Sequence, residues 1–314
     1  MKKKLTLPIT LVLLLLCGCG GELNSQTRFL LDTVVKVDAD CDDRTLNGAF
    51  ALCEELGALL SRTDEESDVY RINSTDGFVR VSPHTLRVVE RGLYYGGLSG
   101  GKFDITMGSV TPLWDFKNGT VPSKDEISAA LRSVDYGSVE IKGDEISAHG
   151  KKLDLGGIAK GYIADRLTEY FKENGTDDAV INLGGNVAVI GKKTVGIQKP
   201  FSDTVLLTAE IEDISAVTSG IYQRYTEKDG KLYHHVLDPD TGYGVENELA
   251  SVTVFGESST DCDALSTVCL LLGTEDGKKL IEEKTDAEAV FIGRGGEITL
   301  TSGLYREGDK IIFK

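Results

Sequence analysis

Hydrophobic residues recur at helical spacing in six segments of the chain, and four of these begin with residues typical of a helix N-terminus. Asp42 or Asp43 precedes the first, Ser82-Pro83 the second, a Ser123–Glu126 capping box the third and Ser259-Thr260-Asp261 the fifth. The fourth helix follows Gly157 and the sixth covers about 278–284. The pattern therefore predicts helices distributed over most of the chain.

Shorter apolar runs with β-branched residues lie between these helices and predict strands. They cover residues 28–37, 152–155, 179–190, 194–198, 205–211, 215–218, 250–255, 289–292, 298–301 and 310–313. The run over 179–190 is interrupted by Gly184-Gly185, which favours a β-bulge or a close approach of a ligand to the backbone. Because helices and strands alternate irregularly, without a linker or a repeat, we expect one large α+β domain over residues 28–314.

The first residues form a targeting segment. Three lysines precede an apolar stretch from Leu5 to Leu16, and Leu16-Cys17-Gly18-Cys19 resembles the lipobox of bacterial lipoproteins. We therefore expect a signal peptide over 1–18, a lipidated Cys19 and a polar spacer over 19–27. The protein is then anchored to the cell membrane on its extracytoplasmic face. A plain secretory signal and a short transmembrane anchor are the alternatives.

The charge balance argues against nucleic acid and anionic lipid surfaces as partners. The chain has 34 Lys and Arg against 50 Asp and Glu, a net charge of −16. Four cysteines follow Cys19, namely Cys41, Cys53, Cys262 and Cys269, and their spacing does not suit a zinc site. Cys262 and Cys269 lie on one predicted helix and are expected to be buried in the protein core. A Cys41–Cys53 disulfide is compatible with export, but the sequence does not establish it.

The stretch from Asp154 to Asp165 combines a strand-like run, two glycines and the start of a helix. Such a turn presents free backbone N–H groups at the positive end of the helix, where phosphates and carboxylates bind. Lys160 adds a cation, and Asp154 adds a carboxylate. An ordinary turn that needs the flexibility of glycine is the alternative interpretation.

Two further arrangements carry chemistry. Asp263 and Thr267 lie four residues apart, on one face of a helix, and can give two oxygen ligands to a cation such as Mg²⁺. Capping of its own helix is the alternative explanation of Asp263 and, on the residues alone, the favoured one, because caps are common and metal sites are rare. His235 precedes an Asp-Pro turn and suits either a general base or a structural polar contact.

Together these motifs resemble the ApbE family of FAD:protein FMN transferases, and the match covers residues from about Leu31 to Gly273. The motifs are, in chain order, Ser61, Ser67 and Asn73; Phe103-Asp104-Ile105-Thr106 with Gly108 and Leu113-Trp114; Asp154-Leu155-Gly156-Gly157-Ile158-Ala159-Lys160-Gly161; Asn182-Leu183-Gly184-Gly185-Asn186; Thr218-Ser219-Gly220; His235-Val236-Leu237-Asp238-Pro239 with Thr241-Gly242; and Asp263-Ala264-Leu265-Ser266-Thr267.

The resemblance implies that FAD is the substrate, Mg²⁺ is required, and FMN passes to a Ser or Thr hydroxyl of an acceptor flavoprotein while AMP leaves. The acceptor carries a Ser/Thr-Gly-Ala-Ser/Thr motif. Asp263 and Thr267 match the metal ligands together with the Gly157 carbonyl, and His235 and Asp263 match catalytic positions. The positions matched to FAD binding are Leu31, Thr63, Lys102, Phe103, Asp104, Asp154, Lys160 and Val236.

The sequence departs from the family pattern in three places. Leu31-Asp32-Thr33 replaces Met-Gly-Thr, Thr63 replaces a frequent tyrosine, and Asp240 replaces a frequent basic residue. The first two changes affect residues that are expected to bind FAD. Asp240 is expected to change how the protein contacts the acceptor or a phosphate. Two rival functions remain open at this point: an FAD pyrophosphatase that releases FMN and AMP, and a lipoprotein that binds FAD without turnover.

Overall fold

The computed structural model describes residues 23–314. The expected signal peptide and Cys19 lie outside the described residues. Over residues 23–314, the helices are all too short or too polar to cross a membrane.

Local sequence signals determine where most helices begin. The side chains of Asp42, Ser82 and Ser123 accept hydrogen bonds from backbone N–H groups of the first turn of their helices, and Ser123 and Glu126 form the expected capping box. The α-helices of the described region are α1 (Asp43–Leu59), α2 (Asp68–Asn73), α3 (Pro83–Leu98), α4 (Lys124–Leu131), α5 (Ala159–Glu173), α6 (Ser259–Leu272) and α7 (Thr274–Lys284).

The strands form four sheets. In chain order they are β1 (Asn24–Leu30), β2 (Thr33–Ala39), β3 (Val79–Arg80), β4 (Glu140–Lys142), β5 (Glu145–Ser147), β6 (Ala179–Leu183), β7 (Asn186–Ile190), β8 (Lys192–Gln198), β9 (Val205–Glu212), β10 (Ser215–Gly220), β11 (Tyr225–Lys228), β12 (Lys231–His234), β13 (Leu249–Gly256), β14 (Glu288–Gly293), β15 (Ile298–Leu300), β16 (Leu304–Glu307) and β17 (Lys310–Phe313).

An antiparallel sheet with the order β1-β2-β6-β7-β10-β13-β14-β15 is the centre of the fold. The second sheet has the order β16-β17-β9-β8 and contains one parallel pair, β17 with β9. Strands β3-β5-β4 and β11-β12 form the two remaining sheets. Mixed sheets with packed helices confirm the expected α+β class.

Both faces of the central sheet are buried, because alternate residues of its strands enter two different cores. Val217, Val254 and Phe291 pack with residues of α1, α5 and α6. Their neighbours Ala216 and Phe255 pack with the second sheet. The central sheet is therefore a middle layer between the helices and the second sheet, which explains its nearly continuous apolar strands.

A smaller core supports the segment that follows His235. Trp114 packs with Met107, Val110 and Leu237, and its indole Nε1 donates a hydrogen bond to the Gly242 carbonyl at 3.1 Å. This cluster fixes the loop 101–121 against the segment 235–245. Both pieces carry motifs of the family pattern.

Several strand predictions are wrong in detail. Residues 28–37 form parts of two strands, because Leu31 and Asp32 adopt positive φ angles of 54° and 55° and turn the chain between β1 and β2. Strand β1 also begins at Asn24, inside the expected spacer. Gly184 and Gly185 form the hairpin turn between β6 and β7, with φ angles of 69° and 99°, and not a bulge.

Residues 152–155 form only an isolated bridge, Met107 with Lys152, in place of the expected strand. Six strands were not expected from the sequence, namely β3, β4, β5, β11, β12 and β16. Cys262 and Cys269 are buried in α6 as predicted, and Cys41 and Cys53 are both free thiols. The Cys41–Cys53 disulfide that the sequence left open is therefore not formed in the described structure.

Candidate active site

Helices α5 and α6 cap each other, and this contact assembles the site. The N-cap residue of α5, Ile158, has no side chain that can accept a hydrogen bond. Oδ2 of Asp263, on α6, accepts a 2.8 Å hydrogen bond from the backbone N–H of Gly161 in the first turn of α5. Asp263 is therefore a cap, but of α5 and not of its own helix.

Asp165 of α5 provides the reciprocal cap. Its Oδ1 accepts from the backbone N–H of Ser259 at 2.7 Å, and its Oδ2 accepts from that of Thr260 at 2.9 Å. Ser258 is the N-cap residue of α6. Burial raises the pKa of the Asp165 carboxyl, and the hydrogen bonds it accepts oppose that rise. Two carboxylates thus hold the two helix N-termini together.

Glycine is required where the helices meet. A Cβ at Gly161 would lie 2.3 Å from the Ser259 carbonyl oxygen and 2.7 Å from Cβ of Asp263. Neither contact can be relieved by a side-chain rotation, since one partner is backbone and the other is a Cβ. The absence of a side chain at 161 therefore allows Asp263 to reach the first turn of α5.

The second oxygen of the Asp263 carboxylate lies near a cation. Asp263 is 4% exposed, and its Oδ1 lies 3.9 Å from Nζ of Lys160, which is too far for a hydrogen bond. Lys160 Nζ donates instead to the Gly156 carbonyl at 3.2 Å. A buried carboxylate with this limited compensation is suited to a cation.

A hydroxyl of β10 meets two hydroxyls of α6 about one helical turn after Asp263. Ser219 Oγ, at the end of β10, is 3.1 Å from Thr267 Oγ1 and 2.8 Å from Ser266 Oγ. A Cβ at Gly157 would lie 3.9 Å from Thr267 Oγ1 and 3.0 Å from Cε2 of Phe103. Gly157, Thr267 and Phe103, which are distant in sequence, therefore meet beside Asp263.

The donor set fits a magnesium ion. It offers a carboxylate from Asp263, a hydroxyl from Thr267 and the backbone of Gly157, and hard oxygen donors of this kind are what Mg²⁺ prefers. In the part of the chain that the structure describes, there is no group of three or more His, Cys, Asp or Glu placed to hold a metal. Mg²⁺ sites commonly take their remaining ligands from water and substrate phosphates, which agrees with so few protein carboxylates.

His235 is held in a defined tautomer. Its Nδ1 lies 3.3 Å from the Arg224 carbonyl oxygen, which can only accept, so Nδ1 carries the proton and Nε2 is the basic nitrogen. Desolvation of the half-buried ring, together with the positive charges of Arg224 and Lys160, lowers the pKa of His235 to about 3. The imidazole is therefore neutral at physiological pH, with a lone pair on Nε2.

The adjacent His234 has a structural role. It is almost completely buried, and its Nε2 lies 3.1 Å from the Val245 carbonyl oxygen. Burial lowers its pKa to about 4. His234 is the last residue of β12, whereas His235 follows the strand and faces the Arg224 carbonyl, so the two histidines belong to different environments. Val236, another predicted FAD contact, is buried beside His235.

Lys102 and Asp104, in the loop after α3, make different kinds of contact. Nζ of Lys102 lies 3.0 Å from Oδ2 of Asp238 and 2.7 Å from Oδ2 of Asp240. Asp104 accepts hydrogen bonds from the backbone of Thr106 and Tyr136, so its carboxylate stabilises the loop. The carboxylate of Asp240, where a basic residue is frequent, therefore engages the cation of Lys102.

The remaining predicted residues lie at the edge of the site. Oδ1 of Asp154 accepts from the Gly156 N–H at 2.9 Å, while its Oδ2 accepts from Thr111 Oγ1 at 2.6 Å. Thr63 is exposed in a loop tied to the site by Arg62, whose Nε lies 3.6 Å from Oδ2 of Asp154.

Leu31 is at the tip of the β1–β2 hairpin. Its Cδ2 is so close to α1 that a Cβ at Gly57 would lie 2.4 Å from it. Arg224 ties the hairpin to the segment before His235, because its Nη2 donates to the Asp32 carbonyl at 3.0 Å. The two loops that carry Leu31 and Thr63 are thus connected to the site by two arginines.

Sequence reasoning missed several of these residues. Ser219 occurs in the Thr218-Ser219-Gly220 motif, which was a usable signal for a polar residue at the site. Asp165 and Gly161 lie in the stretch from Asp154 to Asp165 that the sequence singles out, but their contacts with α6 join residues distant in sequence. The same holds for the contact of Arg224 with Asp32, and no local pattern indicates such contacts.

This arrangement defines an α+β protein with a cluster of oxygen donors at the junction of two helices. The model of the ApbE family matches residues 31–291, and the chain belongs to this family. A Klebsiella pneumoniae relative named FAD:protein FMN transferase is 36% identical over 271 residues, covering 83% of this chain and 86% of the relative. A Treponema pallidum relative of the same name is 30% identical, with 94% of this chain and 93% of the relative covered.

Solved structures agree with this assignment. The crystal structure of the ApbE protein from Thermotoga maritima has a TM-score of 0.82 and 29% identity, covering 89% of this chain and 97% of that one. The flavin transferase ApbE from Vibrio cholerae has a TM-score of 0.80 and 26% identity, with 90% and 97% covered. The expected fold class and family are therefore confirmed.

Proposed function

We propose that this protein transfers the FMN part of FAD to a Ser or Thr hydroxyl of an acceptor protein and releases AMP. The observation that supports the proposal is the junction of α5 and α6, where the carboxylate of Asp263 lies near Lys160 and one helical turn before Thr267. Family membership and the name shared by its relatives, FAD:protein FMN transferase, support the same reaction.

The proposed metal is Mg²⁺, held by Asp263, Thr267 and the Gly157 carbonyl. When bound, it neutralises charge on the pyrophosphate, which is the main requirement of phosphoryl transfer. Lys160 and the N-terminus of α5 add positive charge at the same place. Leu31, Thr63, Lys102, Phe103, Asp104, Asp154 and Val236 are the proposed surroundings of FAD. Of these, Asp104 and Asp154 act by holding their loops, since the chain itself already uses their carboxylate oxygens.

His235 is the proposed base. Its Nε2 accepts the proton of the acceptor hydroxyl, whose oxygen forms a bond to the FMN phosphorus while the bond from that phosphorus to the bridging oxygen breaks. AMP leaves with the bridging oxygen. The neutral tautomer with the proton on Nδ1 suits this role, because it leaves Nε2 free to accept a proton.

An acceptor carrier tests the reaction. The carrier is a small protein that displays Thr-Gly-Ala-Thr on an exposed segment, incubated with the purified full chain, FAD and Mg²⁺. We expect intact mass spectrometry to show an FMN adduct on the carrier, and AMP in the supernatant. Free FMN and AMP without an adduct would mean that the protein is an FAD pyrophosphatase. If FAD is not cleaved, the protein would be a lipoprotein that binds FAD without turnover.

The proposed location is the extracytoplasmic face of the cell membrane, with Cys19 lipidated and an exported flavoprotein as the acceptor. The lipobox-like sequence Leu16-Cys17-Gly18-Cys19 supports this location. We expect Cys19→Ser to move the protein from the membrane fraction to the soluble fraction, whereas Cys17→Ser leaves it in the membrane. Retention of the Cys19→Ser protein in the membrane would contradict lipid anchoring at that residue.

A further inference from the structure

A cluster of three aromatic side chains borders the site, and the proposed reaction does not use it. The aromatic patch consists of Phe201 in the β8–β9 loop, Tyr222 after β10 and Tyr225 at the start of β11. The ring centroid of Phe201 lies 5.7 Å from that of Tyr222 and 5.6 Å from that of Tyr225. Phe201 is 50% exposed and Tyr225 is 41% exposed. Exposed aromatic rings in mutual contact are typical of binding surfaces.

The backbone of Phe201 adopts a conformation that bulky residues rarely have. Its φ is +56°, in the left-handed region. The loop is closed by hydrogen bonds from Lys199 N to the Thr204 carbonyl at 2.8 Å and from Ser202 N to the Lys199 carbonyl at 3.1 Å. Glycine would satisfy this geometry without strain, so an aromatic ring at this position indicates a use for the ring itself.

One side of the aromatic patch reaches the proposed metal ligands. The ring of Tyr222 packs on Gly220, where a Cβ would lie 2.7 Å from Cε1 of Tyr222. Gly220 directly follows Ser219, whose Oγ is 3.1 Å from Thr267 Oγ1. The chain therefore passes from the proposed metal site to the patch within three residues.

The other side of the patch reaches the proposed base. Tyr225 follows Arg224, whose carbonyl oxygen accepts a 3.1 Å hydrogen bond from the backbone N–H of His235. Short backbone segments thus connect the patch to both the proposed base and the proposed metal ligands. The acceptor hydroxyl has to lie near those two groups during transfer.

We propose that the aromatic patch binds the acceptor protein through apolar residues that flank its reactive hydroxyl. The inference rests on the proposed function, because it concerns the second substrate of the same site. The three rings carry no charge at neutral pH, whereas the phosphates of FAD call for cations. Tyrosine and phenylalanine supply large contact areas in protein interfaces at low conformational cost. An apolar protein segment is therefore the occupant that the patch fits.

Two versions of the acceptor carrier test the proposal. In one, leucines flank the Thr-Gly-Ala-Thr stretch, and in the other, serines take their place. We expect the wild-type protein to have a lower KM for the leucine carrier. Tyr225→Ala should raise the KM for the leucine carrier roughly tenfold and remove the preference, which corresponds to the loss of one buried aromatic contact.

Tyr305→Ala is the matched control. Tyr305 is 39% exposed on β16, so the substitution removes the same side chain at the same exposure, away from the patch. We expect this variant to keep the wild-type preference. Phe201→Gly should also abolish the preference, and since glycine suits the backbone there, the variant should fold with an unchanged circular dichroism spectrum.

Each remaining outcome has one meaning. Equal effects of Tyr225→Ala and Tyr305→Ala on the carrier KM would overturn the proposal. A KM for FAD that rises in proportion to the carrier KM would also overturn it, by assigning the patch to FAD. If the wild-type protein forms no adduct with either carrier, the proposed function itself fails. Adducts formed with unchanged KM values in both patch variants would reject the patch alone.

Discussion

The backbone N–H of Gly161 donates a 2.8 Å hydrogen bond to Oδ2 of Asp263, across 102 positions of sequence. This bond caps α5 with a side chain of α6, and it fixes the direction of the carboxylate whose Oδ1 lies near Lys160. The same group thus stabilises a helix junction and offers an oxygen to a cation. Structure and proposed chemistry depend on one contact.

Gly161→Ala is expected to destabilise the protein by about 1–3 kcal/mol, because the new methyl group would lie within 2.3 Å of the Ser259 carbonyl oxygen. Urea denaturation with matched m-values measures the change. Transfer activity should fall as well, since separating the helices moves Asp263.

Gly97→Ala is the control for that substitution. Gly97 lies in the last turn of α3, and a Cβ there meets nothing within 4 Å. Alanine at this position should stabilise the protein by about 0.5–1 kcal/mol through its greater helix propensity. Equal stability changes for the two glycine variants would contradict the close approach of α5 and α6.

Asp263→Ala is expected to lower kcat by at least roughly a hundredfold, because it removes a ligand that positions charge at the pyrophosphate. The assay follows AMP release from FAD as Mg²⁺ is titrated. Asp261→Ala is the control, since Asp261 lies two residues earlier in α6 and pairs with Arg91, whose Nε lies 3.0 Å from Asp261 Oδ1. Full activity of the Asp263 variant, with Mg²⁺ still required, would remove Asp263 from the metal site.

Ser219→Ala tests the hydroxyl pair beside the metal site. Ser219 Oγ is 3.1 Å from Thr267 Oγ1, and outer partners of metal ligands commonly contribute about tenfold to metal affinity. We expect the Mg²⁺ concentration for half-maximal activity to rise about tenfold, with kcat at saturating Mg²⁺ near that of the wild type. Ser215→Ala, at the start of the same strand, should leave the Mg²⁺ requirement unchanged. A shift of equal size in both variants would show a general effect on β10.

Local signals were enough to predict six of the seven α-helices of residues 23–314, but not α2 (Asp68–Asn73) or the junction of α5 and α6. Asp42, Ser82 and Ser123 cap the helices that they precede, so the sequence nearby contains the whole interaction. The β1–β2 turn was missed because Leu31 and Asp32, neither of them glycine, adopt positive φ. The Gly184-Gly185 turn was readable as a two-residue hairpin, and its interpretation as a bulge overlooked that signal.

The candidate site was predicted in part. The four-residue spacing of Asp263 and Thr267 places both on one face of α6, and the structure keeps them there. Whether Asp263 caps a helix was undecidable from sequence, because the helix that it caps begins a hundred positions earlier. The pairing of Lys102 with Asp240 likewise depends on tertiary contacts. Long-range polar partners are the part of the site that no local pattern encodes.

The depressed pKa of His235 predicts an unusual pH profile for transfer. With a pKa of about 3, the imidazole stays neutral far below the usual value of about 6.5. We therefore expect kcat/KM for the acceptor carrier to show no acidic limb near pH 6.5. His235→Gln should lower kcat for transfer by about a hundredfold, since it removes the base, and FAD hydrolysis by water should fall less.

The same pKa shift predicts how stability depends on pH. Between pH 6.5 and pH 3 the unfolded chain protonates His235 while the folded protein does not, so this residue reduces the free energy of unfolding as the pH falls. Above pH 6.5 the residue is neutral in both states and has no such effect. Urea denaturation of the metal-free protein at pH 7 and about pH 5 should therefore show a smaller loss for His235→Gln than for the wild type. Equal losses, together with an acidic limb at pH 6.5, would place the imidazole in water rather than against Arg224 and Lys160.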